Sequence, residues 1–257
     1  NGAGKNWMLR CVAPEDDGLE IPTEAVVSDK FKRLDNRKLM DSVVPAFAQS
    51  SAEIISSGMT PSKMHLKAVD FTHAYDVDGD ELYFGAAVSN SEVGQGAVSI
   101  STFLFRSACT NGMIFGMREL MSLRRHHRGA TLSTHESATP YLLKPEGNNT
   151  EFWYDVAIAT NRAFAKSRLD KLIAGVQDSA TRGWEKPEKG VMTDELTDSI
   201  RRQLDLEATE IERSLMLIPD VYKASQYGLA NAISEVSQQE DVSYDRATEL
   251  ERISGNV

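Results

Sequence analysis

The chain is poor in cysteine and contains no long run of apolar residues. Of its 257 residues only Cys11 and Cys109 are cysteine, and their separation excludes a metal knuckle or a CxxC redox pair. Sparse cysteine is typical of a reducing compartment, so we interpret both as small buried apolar side chains, with a disulfide as the alternative. The chain has neither a signal-peptide pattern nor the roughly 20 apolar residues that span a bilayer. We therefore predict a soluble, cytoplasmic protein.

Basic residues are outnumbered by acidic ones, and the acidic excess is unevenly distributed. The chain has 28 Lys and Arg, 38 Asp and Glu, and a formal net charge of −10. Residues 185–257 hold eight of the basic and sixteen of the acidic residues, a net charge of −8. A protein this acidic repels nucleic acid at long range, so nucleic-acid binding would require a local basic patch.

Apolar periodicity predicts an α+β chain without βαβ repeats. Apolar residues recur at three- and four-residue spacing over residues 36–57 and 152–177, which predicts two helices, the first kinked or interrupted at Pro45. Alternating patterns predict an antiparallel sheet with a tight turn at residues 76–80. Its strands are expected near residues 64–73, 81–88, 97–106 and 113–115. Further helices are expected near residues 193–217, 221–239 and 243–253.

These elements group into three predicted regions. Residues 1–25 form an irregular N-terminal arm, with Pro14 and Pro22 as breakers. Residues 26–182 form an α+β core domain, in which an antiparallel sheet is packed by a long helix and preceded by an N-terminal helix. Residues 183–257 form a helical acidic C-terminal region, joined to the core through a linker near residues 182–190.

The sequence contains no motif of a metal site or a catalytic centre. All five histidines fall between residues 65 and 135, no helix carries two at metal-ligand spacing, and no serine lies in a nucleophile-elbow pattern. Gly79 stands between the second and third acid of residues 76–80, whereas a calcium loop needs glycine after the third. We predict no catalytic residue, metal or cofactor. An enzyme that uses Cys109 or the histidines is a third hypothesis.

A short basic segment is the most specific chemical feature of the sequence. Residues 106–128 contain five arginines and one acid, Glu119. Guanidinium groups bind phosphate through paired hydrogen bonds and stack on bases, so such a segment can follow a nucleic-acid backbone. The candidate nucleic-acid contacts are Arg106, Arg118, Arg124, Arg125, His126, His127, Arg128, Lys63 and Lys67. The alternative is a basic loop that pairs with the acidic tail of the same chain or of a neighbouring subunit.

Several blocks of sequence occur in a characteristic order. The most specific is Arg-Ser-Ala-Cys-Thr-Asn-Gly at residues 106–112. The others cover residues 26–36, 88–96, 227–233 and 247–255 and the arginine- and histidine-rich segment up to residue 130. Over most of the chain they resemble a phage- and plasmid-related family of uncharacterised domain proteins, although Ser-Glu-Val-Gly at residues 91–94 replaces a Ser-His-Asp-Gly-like block.

This resemblance implies a phage or plasmid setting in a bacterial host, where non-catalytic DNA-handling proteins are common. By analogy of fold alone, the predicted order of strands and helix is also similar to ring-forming single-strand annealing proteins.

Together these observations favour a non-catalytic protein that binds or anneals single-stranded DNA through electrostatic contacts with phosphates. We expect a homo-oligomer, because multivalent assembly would offset the repulsion from a subunit of net charge −10. Phe103 and Phe105 could stack on bases or belong to the core. The alternative function is a structural or interaction protein, assembled when the basic loop of one subunit contacts the acidic tail of another.

Overall fold

The fold is an α+β arrangement of one main antiparallel sheet and several helices. It comes from a computed structural model that describes residues 7–11, 23–28, 34–107, 111–115, 123–125, 150–183, 200–201, 203–220 and 224–257. The predicted α+β class is confirmed. None of the helices within these ranges is long and apolar enough to cross a membrane.

A six-stranded antiparallel sheet forms the centre of the fold. Five strands are neighbours in chain order: β3 (Ala52–Met59), β4 (Met64–Val77), β5 (Asp80–Asn90), β6 (Val98–Arg106) and β7 (Asn111–Phe115). The sixth, β8 (Leu123–Arg125), pairs with the first residues of β6, on the same side of β6 as β7. A separate antiparallel pair, β1 (Trp7–Cys11) and β2 (Thr23–Ser28), precedes the sheet in the sequence.

A two-residue turn joins β4 and β5. Its residues Asp78 and Gly79 have φ values of 56° and 87°. Positive φ at both central residues is the type I′ geometry, which matches the twist of antiparallel strands and favours an Asp-Gly sequence. The predicted tight turn is confirmed at these two residues.

The two faces of the sheet differ in what covers them. We call the face that packs against α1 (Asn36–Gln49) and α2 (Thr150–Ala163) the inner face. Its buried side chains alternate along the strands and include Leu66, Ala68, Ala86, Val88 and Ile100. Near the β4–β5 turn, α3 (Lys166–Thr181) covers Leu82, Phe84 and Leu104 instead. The opposite side of the sheet is the outer face.

A carboxylate from a distant connection fixes the start of α1. The N-cap residue makes no side-chain cap hydrogen bond. Instead, the backbone N–H of Asn36 donates to Glu92 Oε1 at 2.6 Å. Asn90 Nδ2 donates to the carbonyl of Leu34 at 2.7 Å. The end of β5 and the glycine-containing connection after it therefore hold the start of α1 against the sheet.

The first predicted helix is shorter than expected. Residues 52–59 form β3 rather than the last turns of a helix. Ser51 adopts a positive φ of 53°, which a continuing α-helix does not accommodate. Ile54 and Ile55 fit helical spacing, but pairing with β4 places these β-branched residues in a strand. Pro45 lies inside α1 and does not end it.

The long helix predicted over residues 152–177 is two helices. α2 and α3 are separated by Phe164 and Ala165, and Ala165 has an extended conformation with φ −69° and ψ 122°. The break allows α2 to pack beside α1 while α3 packs near the β4–β5 turn. Both helices have the same apolar spacing, so periodicity alone does not reveal the break.

The predicted irregular arm contains strand β1 and the start of β2. These strands pair antiparallel, with a shift of register at Arg10 and Cys11. Pro14 and Pro22, which motivated the prediction, fall between the strands. They therefore belong to the connection, and strands this short have too few residues for a clear alternating pattern.

The C-terminal helices share a core of their own. They are α4 (Ala208–Asp220), α5 (Gln226–Val236) and α6 (Tyr244–Ser254). Ser225 and Ser243 cap α5 and α6 by accepting hydrogen bonds from backbone N–H groups. Their shared apolar cluster includes Ile211, Leu215, Ile233, Val236, Leu250 and Ile253. The predicted helical C-terminal region is confirmed, and the predicted linker lies almost wholly outside the described residues.

Gly85 offers a test of the close approach between β4 and β5. A Cβ at this position would lie 2.1 Å from the carbonyl oxygen of Ala68. We expect Gly85→Ala to lower the free energy of unfolding by about 3 kcal/mol, because the two strands must separate. In the control Gly96→Ala, the added Cβ would lie 3.4 Å from its nearest neighbour, and the change should stay within about 0.5 kcal/mol. Urea unfolding measures both, and equal losses would contradict this account.

Candidate nucleic-acid interface

The outer face of the sheet has a polar part and an aromatic part. The polar part contains His65, Lys67, Ser89, Ser99 and Ser101. The aromatic part, nearer the β4–β5 turn, contains Phe71, Tyr83, Phe103 and Phe105. Helix α6 lies across the polar part and contacts it through hydrogen bonds and ion pairs.

A buried ion pair joins the sheet to α6. Lys67 Nζ donates to both carboxylate oxygens of Glu251, at 2.6 and 2.5 Å. The two side chains are 11% and 1% exposed, respectively. Burial raises the pKa of Glu251, and the charge of Lys67 counteracts that rise. Because a buried charge that loses its partner is strongly destabilising, this contact fixes the position of α6 on the sheet.

A second carboxylate of α6 holds His65. His65 Nε2 lies 2.9 Å from Asp245 Oδ1, and Ser62 Oγ donates to Asp245 Oδ2 at 3.1 Å. The Tyr244 ring packs edge-on against the imidazole, and its hydroxyl lies 3.1 Å from Ser56 Oγ. Burial lowers the pKa of His65, so the neutral imidazole is favoured.

Arg252 extends the contacts of α6 to β5 and β6. Its Nη2 donates to Ser89 Oγ at 3.0 Å and to Ser99 Oγ at 3.4 Å. In the backbone register Ser99 lies opposite Arg124 of β8. The strand that carries two predicted arginines therefore borders the area that α6 covers.

The aromatic part of the outer face reaches the solvent. Phe103 is only 2% exposed and belongs to the core. Phe71 is 40% exposed and packs edge-on against Tyr83 and Phe105, at ring-centroid distances of 5.1 and 5.8 Å. Lys67 Nζ lies 5.4 Å from the centroid of the Phe103 ring. The solvent-facing aromatic rings have the composition of a base-stacking surface.

Lysines and arginines predicted to contact nucleic acid have acids beside them. Besides Lys67, Arg106 Nη2 binds Asp80 Oδ1 at 2.6 Å. Burial alone would raise the pKa of Asp245, but its hydrogen bonds and the nearby charge of Lys63 lower it. Each of these cations is thus close to a carboxylate of its own chain.

The remaining predicted contacts are placed by backbone register or not at all. β8 sets Arg124 opposite Ser99 and Arg125 opposite Val98. Four others lie outside the described residues: Arg118, His126, His127 and Arg128. The structure places Arg106 in β6 and pairs β8, which carries Arg124 and Arg125, with the start of β6. Phosphate binding by the whole set stays a prediction.

Sequence reasoning missed the role of α6. The sequence predicts an acidic helical region but not the burial of its carboxylates, and Glu251 is 1% and Glu210 is 8% exposed. Glu210 pairs with Arg246 at 2.6 Å. A polar helix face has the same sequence pattern whether it meets water or a polar sheet, so spacing could not reveal this contact.

Histidines do not converge on a metal site in the part of the chain that the structure describes. No group of three or more His, Cys, Asp or Glu side chains in these ranges could hold a metal ion. His65 is covered by α6, whereas the side chain of His73, farther along β4, is 73% exposed.

The environment of His65 determines how its protonation affects stability. The groups that face it are Asp245, Tyr244 and Arg252 of α6 and Lys63 of the β3–β4 turn. Because the folded state favours the neutral imidazole, His65 makes its full contribution to the free energy of unfolding above the ordinary histidine pKa of about 6.5. The contribution is lost as the pH falls from that value toward the lowered pKa.

We therefore expect NMR titration to give His65 a pKa below 6.5. The free energy of unfolding should also decrease as the pH falls from about 7 to about 5. His65→Gln should remove that part of the decrease, whereas the exposed control His73→Gln should retain it. A pKa of His65 above the ordinary value would contradict the assignment.

Comparisons with known proteins add no assignment. No protein-family model matches the chain, and neither a curated protein nor a solved structure matches it. The resemblance to a phage- and plasmid-related family therefore stays a prediction from the sequence blocks.

Proposed function

We propose that the chain is a non-catalytic protein that binds single-stranded DNA and promotes annealing by holding phosphates while the bases stay free to pair. One observation carries the proposal: the pairing of β8 with β6 joins the described parts of the arginine-rich segment in one sheet. Arg106 is the last residue of β6, and Arg124 and Arg125 lie opposite its first residues.

The length of β6 suits a linear polyanion. A strand rises about 3.3 Å per residue, so the nine residues of β6 extend over about 30 Å. Arg106 lies in the inner-face register of β6, with Leu104. Arg124, opposite Ser99, and Lys67 occupy outer-face positions, from which cationic side chains can contact phosphates of one nucleic-acid strand. Such contacts do not read the base sequence, and their strength falls steeply with salt.

The aromatic part of the outer face adds a reason for single-stranded nucleic acid. Unpaired bases expose their planar faces, and each base stacked on an aromatic side chain contributes about 1–3 kcal/mol. Phe71 is exposed beside Tyr83 and Phe105 on the same face of the sheet. Duplex DNA has no free base to place there.

The net charge of −10 opposes binding by a single subunit. Assembly of several subunits would align several basic segments, so we include a homo-oligomer in the proposal. Assembly between a basic loop and the acidic tail of another subunit has less support. The described contacts of Asp245 and Glu251 are with the sheet of their own chain.

The arginines of β8 provide the direct test. We expect Arg124→Ser together with Arg125→Ser to weaken binding of a fluorescent single-stranded oligonucleotide at least tenfold at low salt. The slope of log affinity against log salt should become shallower by about 0.7 for each phosphate contact that is lost. Fluorescence anisotropy over a salt series measures both quantities.

The matched control removes the same charge elsewhere. Arg37→Ser together with Lys38→Ser alters exposed residues of α1, which packs against the inner face. This control should change affinity less than twofold. Equal losses in both double variants, or no binding by the unmodified protein at low ionic strength, would reject the proposal.

Base stacking is tested by Phe71→Leu. The residue is 40% exposed, so the substitution should leave the fold intact. We expect single-stranded affinity to fall about fivefold or more through lost stacking, with duplex binding unchanged. Met59→Leu, an exposed apolar position on β3, is the control; an equal loss there would show that Phe71 has no specific role.

A further inference from the structure

The C-terminal helices meet the outer face through polar groups. Their own apolar cluster lies among α4, α5 and α6 and includes Leu250 and Ile253 of α6. Toward the sheet, α6 instead presents Asp245, Glu251 and Arg252. A contact made of ion pairs and hydrogen bonds competes directly with water and with other charged ligands, whereas an apolar contact does not.

The carboxylates of α6 contact cationic or protonatable groups of the sheet. Glu251 accepts from Lys67 at 2.6 and 2.5 Å. Asp245 lies 2.9 Å from His65 Nε2 and close enough to Lys63 for that charge to lower its pKa. Carboxylates and phosphates share these partners, because both present several anionic oxygens to a donor.

Helix α5 is anchored independently of these contacts. Tyr227 donates to Asp80 Oδ2 at 3.0 Å, and Ser234 donates to the carbonyl of Gly112 at 2.7 Å. Tyr227 and Ala230 also belong to the apolar cluster formed with α3 and the inner face. Displacement of α6 from Lys67 would therefore leave the C-terminal region attached to the sheet.

We propose that α6 is an internal competitor of nucleic acid, whose carboxylates occupy the positions that phosphates take on the outer face. The inference rests on the proposed single-stranded DNA binding and names its regulation. In the free protein Lys67 is paired with Glu251. A nucleic-acid strand that reaches from β8 to the aromatic part replaces this carboxylate, and α6 moves off the polar part.

The competition lowers the apparent affinity of the unmodified protein. Only the fraction of molecules in which α6 has left Lys67 can use the whole face, and the apparent affinity is reduced by that fraction. A second nucleic-acid contact, or a neighbouring subunit that held α6 away, would remove this reduction. Helix α6 thereby restricts full binding to nucleic-acid strands that make several contacts at once.

The test compares two single substitutions in the full chain that remove the same charge from the same helix. Glu251→Gln weakens the contact with Lys67, whereas Glu249→Gln changes an exposed residue that pairs with Arg246. We expect Glu251→Gln to increase affinity for a single-stranded oligonucleotide about tenfold or more, and Glu249→Gln to change it less than twofold. Adding Lys67→Met to Glu251→Gln should abolish the gain, because the freed cation is the new phosphate contact.

A second measurement uses the unmodified protein, so it tests the proposal even if a variant fails to fold. Hydrogen exchange should show faster exchange in α6 when the oligonucleotide is added, with protection retained in α5. Unchanged or slower exchange in α6 with bound oligonucleotide would overturn the proposal that α6 competes with nucleic acid. Equal affinities of the Glu251→Gln and Glu249→Gln variants would also overturn the proposed competition. If the unmodified protein binds the oligonucleotide in that case, the proposed function still stands. No binding by any variant at low ionic strength would overturn both.

Discussion

Lys67 and Glu251 tie the C-terminal region to the sheet by a contact that neither partner can lose without cost. Both charges are removed from water, and each is stabilised mainly by the other. Breaking a buried pair of this kind costs about 3–5 kcal/mol, unless another charged group takes the vacant place. The position of α6 and its covering of His65 and the rest of the polar part depend on this pair.

The two faces of the sheet make different kinds of contact. The inner face is mainly apolar and is covered by α1, α2 and α3, so it provides the non-directional stabilisation of the core. The outer face carries charges, hydroxyls and aromatic rings, whose contacts depend on direction and on partner. Only the exposed outer-face positions, such as Phe71, can therefore be changed with little effect on the core.

The sequence was most informative where a local pattern decides the structure. The strands from Met64 to Arg106 follow from alternating side chains, and the Asp78–Gly79 turn follows from its dipeptide. The sequence was least informative where tertiary contacts decide the local structure. Ile54 and Ile55 fit a helix by spacing but lie in β3, which pairs with β4. The break at Ala165 depends on two different packing surfaces. For the site, composition identified the arginines, but the contact of Glu251 with Lys67 spans 184 residues and no local pattern encodes it.

Pairing of β8 with β6 has a thermodynamic consequence for the arginines that it carries. Fixing the backbone of one residue costs about 1–2 kcal/mol of conformational entropy. For Arg124 and Arg125 this ordering accompanies formation of the sheet, whereas an arginine in an unstructured tail loses the same freedom when it meets its ligand. In the proposed binding, a short basic segment fixed in a strand therefore loses less backbone entropy on meeting a polyanion than an unstructured segment with the same charge.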